Sequence, residues 1–351
     1  MADTRRFALI PGDGIGPEVI DAAVEVLDAA ASFAGERFEW VRFPWGSEYY
    51  LRHGHMMPDD ALDQLRPFDA ILLGAVGDPR VADHITLHGL LLSIRKAFDQ
   101  YLCIRPVRLY RGVTSALRAV DTIDLVVVRE NTEGEYSDVG GRVHRGTNAE
   151  VAIQSNVFTR HGCQRIIEAA FALASTRRRH VTSITKSNAQ RYGMVLWDEV
   201  FGQVASRHPD IETRSLLVDA AAMELVRAPG RFDVMVASNL FGDILSDLSA
   251  AVTGGMGLAP SANIDPTRAA PSMFEPVHGS APDIAGRGIA NPIAAVLSGA
   301  MMLEHCGLQA TTDRIRRSVD ELLGTAGPRT ADMGGSDRTN DITRALVASL
   351  H

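Results

Sequence analysis

Asp243 and Asp247 stand four residues apart within Ser238–Asp247, directly after the apolar, β-branched run Phe232–Ala237. The run predicts a buried strand, and the residues after it predict a helix start. On a helix, positions i and i+4 share one face, so both carboxylates project together. Two such groups repel unless a cation lies between them. A hard dication with oxygen ligands, Mg²⁺ or Mn²⁺, suits that arrangement; a solvated acidic helix face is the alternative. The apolar residues between them and the buried strand before them favour a site, because α/β proteins place ligands beyond the carboxyl ends of strands.

Other residue types suggest what such a site would take. Arg95, Arg105 and Arg129 each lie beside apolar segments, and Tyr136 follows the third of them closely. Guanidinium forks match carboxylates in bidentate fashion, so three of them suggest a di- or tricarboxylate. Each alone fits a surface salt bridge equally well. Asp219 interrupts the apolar run Leu216–Met223 and is expected to be buried, which would require a cation or a proton. Lys186 follows the strand-like His180–Thr185; it is accessible for chemistry if that strand end opens on a cleft, and is otherwise a solvated lysine. Phe274–Gly286, with Asn291-Pro292 opening the next helix, could clamp a nucleotide. Its backbone N–H groups can take phosphate and Asp283 can accept from ribose hydroxyls; an ordinary Gly/Pro connection is the alternative.

The elements that must position these groups are strands Phe7–Ile10, Asp69–Gly77 and Ile123–Val128, and helices Glu18–Ala31, Leu90–Lys96, Phe158–Ser175, Ile293–Glu304 and Asp313–Leu323. Arg142–Thr147 and Val151–Ile153, punctuated by Gly140, Gly141 and Gly146, predict a protruding hairpin arm. Thr253–Ala262 reads as a small-residue loop. Gly12-Asp13-Gly14-Ile15-Gly16 before Pro17 is G-x-G-x-G, not G-x-G-x-x-G, and no acidic residue ends a second strand about twenty residues on, so a Rossmann fold is rejected. The stretch remains a tight turn that lets another segment or a ligand approach closely.

With 351 residues the chain can form two lobes. Its composition, 46% hydrophobic and 22% charged, is that of a globular protein. A net charge of −8 argues against nucleic acid or anionic membrane as a partner, though not against an anionic substrate held by local arginines. Cys103, Cys163 and Cys306 form no CxxC pair, so neither a disulfide framework nor a structural zinc site is expected, and a reducing cytoplasm is. The polar Met1–Arg6 stretch is no signal h-region, and no apolar span is long enough to cross a bilayer.

Nearly end to end, the chain resembles the pyridine-nucleotide-dependent β-decarboxylating dehydrogenases, the isocitrate/isopropylmalate dehydrogenase superfamily. The motifs are Gly12–Gly16, Arg129–Tyr136, Ser238–Asp247 and Glu275–Asp283. Ser47–Tyr50, Met56–Asp60, Gly74–Gly77, Asp83–Ile85 and Phe98–Tyr101 resemble its tartrate and D-malate branch. Gly89 and Leu91 stand where isocitrate members carry Ser and Asn; Leu91 and Leu92 match the apolar pair of isopropylmalate members, whereas His88 replaces their Glu.

The resemblance implies an α/β fold of two lobes with a mixed sheet. One lobe would be discontinuous, 1–105 with 257–351. The other, 106–256, would carry the arm and the contacts of a homodimer with shared active sites. It implies that Arg95, Arg105 and Arg129 bind substrate carboxylates beside Leu91 and Leu92. Asp243, Asp247 and, from the other subunit, Asp219 would hold Mn²⁺ or Mg²⁺, with a monovalent cation such as K⁺ a further expectation. Lys186, also from the partner, would be the base and Tyr136 the acid. His278, Gly279, Ser280, Ala281, Asp283, Ile284, Asn291 and Asn188 would bind the dinucleotide, with Asp283-Ile284 favouring NAD. The implied reaction is oxidation of a small 2-hydroxy diacid, D-malate to pyruvate and CO₂ or tartrate to oxaloglycolate or glycerate. The alternative is 3-isopropylmalate dehydrogenase. From another class, the same carboxylates and arginines fit a metal-dependent organic-acid binder or phosphate-ester hydrolase.

Overall fold

The computed structural model describes residues 4–118, 120 and 122–351, so Met1–Asp3 of the polar N-terminal stretch lie outside the described residues. The chain divides into two compact units. The second unit is Tyr101–Val107 with Thr122–Ser249, and the remaining described residues form the first.

In the first unit the strands run in the order β2 (Phe38–Arg42), β1 (Arg5–Gly12), β3 (Ala70–Ala75), β12 (Ser272–Pro276), β11 (Pro260–Ile264). All neighbours are parallel except β12 and β11, which are antiparallel. The central strands read as unbroken apolar runs because both their faces are covered. Phe7 and Leu9 of β1 enter the core built with α1 (Gly16–Ala34), α10 (Ile293–His305), α11 (Gln309–Gly324) and α12 (Thr339–Ala348). Ala8 and Ile10, pointing the other way, enter a second core with Phe43, Trp45, Phe68 and Phe98. On that side lie α2 (Ser47–His53), α3 (Ala61–Leu65) and α5 (Leu92–Ala97), the last preceded in the chain by α4 (Asp83–Thr86).

The second unit orders its strands β4 (Leu102–Arg108), β5 (Asp124–Glu130), β10 (Val234–Ala237), β8 (His180–Thr185), β9 (Glu212–Leu217). From β5 to β9 the neighbours are parallel. Their carboxyl ends therefore share one edge, and α9 (Asn239–Val252) and α8 (Val218–Arg227) leave from that edge. Helices α6 (Arg160–Ser175) and α7 (Gly193–Ala205) bury Ile166, Phe171, Trp197 and Val204. The arm is a separate antiparallel pair, β6 (Gly134–Val143) with β7 (Val151–Val157), whose Val143 and Ile153 are exposed.

Three local expectations need correction. The arm's first strand starts at Gly134, eight residues before Arg142, because Gly134 takes a positive φ of 72° and turns the chain straight from the β5 end into β6. The helix expected over Leu90–Lys96 opens as a π-helical turn, Leu87–Leu91, and becomes α-helical at Leu92. The last three residues of the small-residue segment Thr253–Ala262 are strand: β11 begins at Pro260, and its Ser261 and Ala262 are fully buried. Among the described residues no helix is long and apolar enough to cross a membrane.

Candidate active site

One face of α9 carries the chemistry of the second unit. Asn239, Gly242, Asp243, Ser246 and Asp247 recur at i, i+3, i+4, i+7 and i+8, the spacing of a single helical stripe. Against it lie Arg105 from β4 and Arg129 from the end of β5, with Tyr136 entering from β6. Asp243 is the meeting point. Its Oδ1 accepts from Arg129 Nη1 at 2.5 Å and from Arg105 Nη1 at 3.3 Å, and its Oδ2 accepts from the Tyr136 hydroxyl at 3.0 Å. Arg105 also donates to Ser246 Oγ at 2.6 Å. The Arg129 stem runs through the slot left by Gly242, where an added Cβ would sit 2.7 Å from Arg129 Cβ and Cγ. Its guanidinium lies over the Tyr136 ring, 5.4 Å from the centroid.

Charges gathered this closely perturb one another. Burial, then the Asp243 charge, push the Tyr136 hydroxyl above the usual phenol range, so it keeps its proton at neutral pH. Burial and the same charge raise the Asp247 carboxyl. Asp247 remains 46% exposed, accepts no hydrogen bond among the described residues, and has its guanidinium neighbour Arg105 3.7 Å away. An under-compensated carboxylate on the stripe of a second one is a donor set that fits a hard dication. It is incomplete by itself: among the described residues no three His, Cys, Asp or Glu side chains are grouped to hold a metal within one chain.

Asp219 lies apart from that stripe, and the expectation that it is buried is overturned. β9 ends at Leu217 and α8 begins at Val218, which puts Asp219 in the first helical turn with its side chain 61% exposed. It accepts from Lys186 Nζ at 2.6 Å, and this bond holds its carboxyl below the ordinary value. Lys186 follows β8 directly, so the parallel pairing of β8 with β9 brings the two side chains together.

In the first unit the glycine turn does approach other chain closely. Cβ atoms on Gly12 and Gly14 would lie 1.9 Å from Ala75 O and 2.0 Å from Ser280 O, and both residues have positive φ. The buried Asp13 carboxylate, which sequence reasoning did not single out, accepts from Ser47 N, Ser47 Oγ and Gly77 N at 2.7–2.8 Å. Ile15 N donates to Ser280 O at 2.8 Å, tying the turn to the His278–Ala281 loop. Within that loop Ala281 has φ +40°, a left-handed backbone that costs an L-residue about 1 kcal/mol or more. Desolvation lowers the His278 pKa, its Nδ1 lies 3.0 Å from Gly279 O, and its buried Nε2 has no partner among the described residues. Asp283 and Gly279 are exposed, while Ile284 packs on the core. Asn291 accepts from Ile293 N at the start of α10 and donates to Asp332 Oδ2 at 3.0 Å.

Also in the first unit, Arg95 is buried and paired with Glu275, which accepts from Asn263 Nδ2 at 2.8 Å. Leu92 is buried and Leu91 half-buried, at the junction of the π-helical turn with α5. Asn188 belongs to the second unit, just after Lys186. The structure thus unites Arg105, Arg129, Tyr136, Asp243 and Asp247, pairs Lys186 with Asp219, and gathers His278–Ile284 and Asn291 in the first unit. Sequence reasoning missed Asn239, Gly242 and Ser246, although the i, i+3, i+4, i+7 pattern continued through the very stretch that supplied the two aspartates.

The model of the isocitrate/isopropylmalate dehydrogenase family matches residues 6–346. The chain is 51% identical over 356 residues to the D-malate dehydrogenase [decarboxylating] of Escherichia coli, covering 99% of this chain and 98% of that one. It is 50% identical over 347 residues to a probable tartrate dehydrogenase/decarboxylase of Bacillus subtilis, covering 98% of each. Among solved structures, isocitrate dehydrogenase from Methylococcus capsulatus superposes with a TM-score of 0.90 at 38% identity over 99% of both chains.

Proposed function

Because the chain belongs to the isocitrate/isopropylmalate dehydrogenase family, we propose that it is an NAD- and divalent-metal-dependent dehydrogenase of a small 2-hydroxy diacid, with or without loss of the β-carboxylate. D-malate would yield pyruvate and CO₂; tartrate would yield oxaloglycolate, or, after decarboxylation and return of the hydride from the NADH just formed, glycerate. The observation that carries the reading is the convergence of two guanidinium groups and a protonated tyrosine on Asp243, alongside relatives named for these two acids.

Asp243 and Asp247, with Asp219 of a second copy, would hold Mn²⁺ or Mg²⁺, and the His278–Ile284 loop with Asn291 would hold NAD. When bound, the dication supplies Lewis acidity at the substrate oxygens and NAD accepts the hydride. Arg105 and Arg129 orient the diacid through its carboxylates. Lys186, paired with Asp219 on the same chain, serves the active site of the other copy and takes the hydroxyl proton as hydride leaves. Tyr136 keeps its proton for the carbon that loses CO₂. The exposed Asp283 carboxylate supports NAD, since it would repel a 2′-phosphate.

One assay tests the reading: NADH absorbance with D-malate, the tartrate stereoisomers, 3-isopropylmalate and isocitrate, each with Mn²⁺ and after exhaustive chelation. Metal-dependent turnover of D-malate or a tartrate is the expected outcome. Full activity after chelation would remove the metal from the mechanism; preference for 3-isopropylmalate, which Leu91 and Leu92 permit, would move the substrate.

A further inference from the structure

Arg129 is held by more than its partner carboxylate. Its Nε and Nη2 both donate to the single Asn239 Oδ1, at 3.1 and 2.7 Å, while Nη1 donates to Asp243 Oδ1 at 2.5 Å. Asn239 is anchored in turn: its Nδ2 donates to Glu133 O at 3.2 Å, in the loop between β5 and β6. Both Asn239 and Arg129 are buried, and the Gly242 slot confines the arginine stem one turn further along α9. Glu135 completes the support by accepting from Ser238 Oγ and Leu240 N, both at 3.1 Å, at the start of the same helix.

A guanidinium presents two edges for bidentate binding, Nε/Nη2 and Nη1/Nη2. Asn239 engages the first. We infer that Asn239 is a positioning residue that decides which edge of Arg129 meets the substrate carboxylate, leaving only the Nη1 side to face the diacid. Without it the guanidinium could rotate about its last torsions and offer either edge, and alignment would have to come from binding energy. The inference rests on the proposed role of Arg129 as a substrate ligand.

The test is a double-mutant cycle on the full-length protein, with D-malate as probe. KM and kcat are measured with NAD and Mn²⁺, and the Kd of D-malate by calorimetry with Mn²⁺ alone. Asn239→Ala is expected to raise KM and Kd for D-malate about tenfold or more, the loss of one charged hydrogen bond, while kcat falls less and KM for NAD stays within about twofold. A lysine cannot present an edge, so in the Arg129→Lys background Asn239→Ala should add less than about threefold. Asn239→Ser, which keeps a hydroxyl acceptor at the helix start, replaces the alanine variant if that one does not fold, and should lie between it and wild type. Unchanged D-malate binding in Asn239→Ala or Asn239→Ser, or full additivity with Arg129→Lys, would overturn the inference alone. If Arg129→Lys itself leaves D-malate binding unchanged, the reading of Arg129 as a substrate ligand falls, and the role of Asn239 with it.

Discussion

Tyr136 and Asp243 are the pair on which proton chemistry would turn. A phenol that donates to a carboxylate while a guanidinium lies over its ring is oriented and remains protonated. General-acid groups contribute roughly 10²–10⁴-fold to the step they serve. Tyr136→Phe should therefore slow decarboxylating turnover of D-malate by about 10²-fold or more, while oxidation of tartrate without decarboxylation falls much less. Equal losses in the two reactions would refute the assignment. Beside this pair, Asp219 shows how misleading a residue's sequence neighbours are. An acid inside an apolar octapeptide became an exposed first-turn residue because a strand ends and a helix begins within that octapeptide.

At the scale of the element, α9 and α7 make a controlled comparison of two helical glycines. Gly202 in α7 is exposed, and an added Cβ would meet nothing within 4 Å. Gly202→Ala should stabilise the chain by about 0.5–1 kcal/mol through helix propensity alone, without changing activity. Gly242→Ala in α9 brings the same propensity gain but drives a methyl against the Arg129 stem. It should raise KM for the diacid without a matching gain in stability. Urea unfolding midpoints and steady-state kinetics on the two variants check this; identical behaviour would mean that Gly242 is not there to seat the arginine. The α9 stripe was half legible in the sequence: the two carboxylates stood out by charge, whereas Asn239, Gly242 and Ser246 carry none.

For the whole molecule, three histidines set a common pH response. Burial lowers the pKa of His180, His278 and His305 from the ordinary 6.5. Each binds a proton less readily folded than unfolded, so the unfolded chain holds more protons near that pH. Their contribution to stability is present above about 6.5 and is lost as the pH falls through the lower folded-state values. The histidine share of the thermal midpoint's pH dependence is a drop on acidification from about pH 7 towards 5.5, opposed by the carboxyls of Glu130 and Asp247, which burial raises; His305→Gln should remove its part of that drop. A variant with the wild-type slope would exclude His305 as a contributor. Assembly is testable separately. Mixing Lys186→Ala subunits with Tyr136→Phe subunits, both impaired in decarboxylating turnover of D-malate, should restore some of that turnover if sites are shared, and verified heterodimers without recovery would argue against sharing.

Strands β1, β3, β5, β8 and β10, helices α1, α6, α9, α10 and α11, the rejection of a Rossmann turn and the shared helix face of Asp243 and Asp247 were legible in the sequence, because backbone periodicity and glycine spacing act over a few residues. What those carboxylates meet was not. Arg105 and Arg129 are 138 and 114 residues from Asp243 along the chain. They reach it because β4, β5 and β10 are neighbours in the sheet, an adjacency decided by global packing and not by local pattern. The same holds for the buried Arg95–Glu275 pair, 180 residues apart, and for the Lys186–Asp219 contact across β8 and β9. Local sequence determined which groups share a face; only the tertiary structure decided which opposite charges that face would hold.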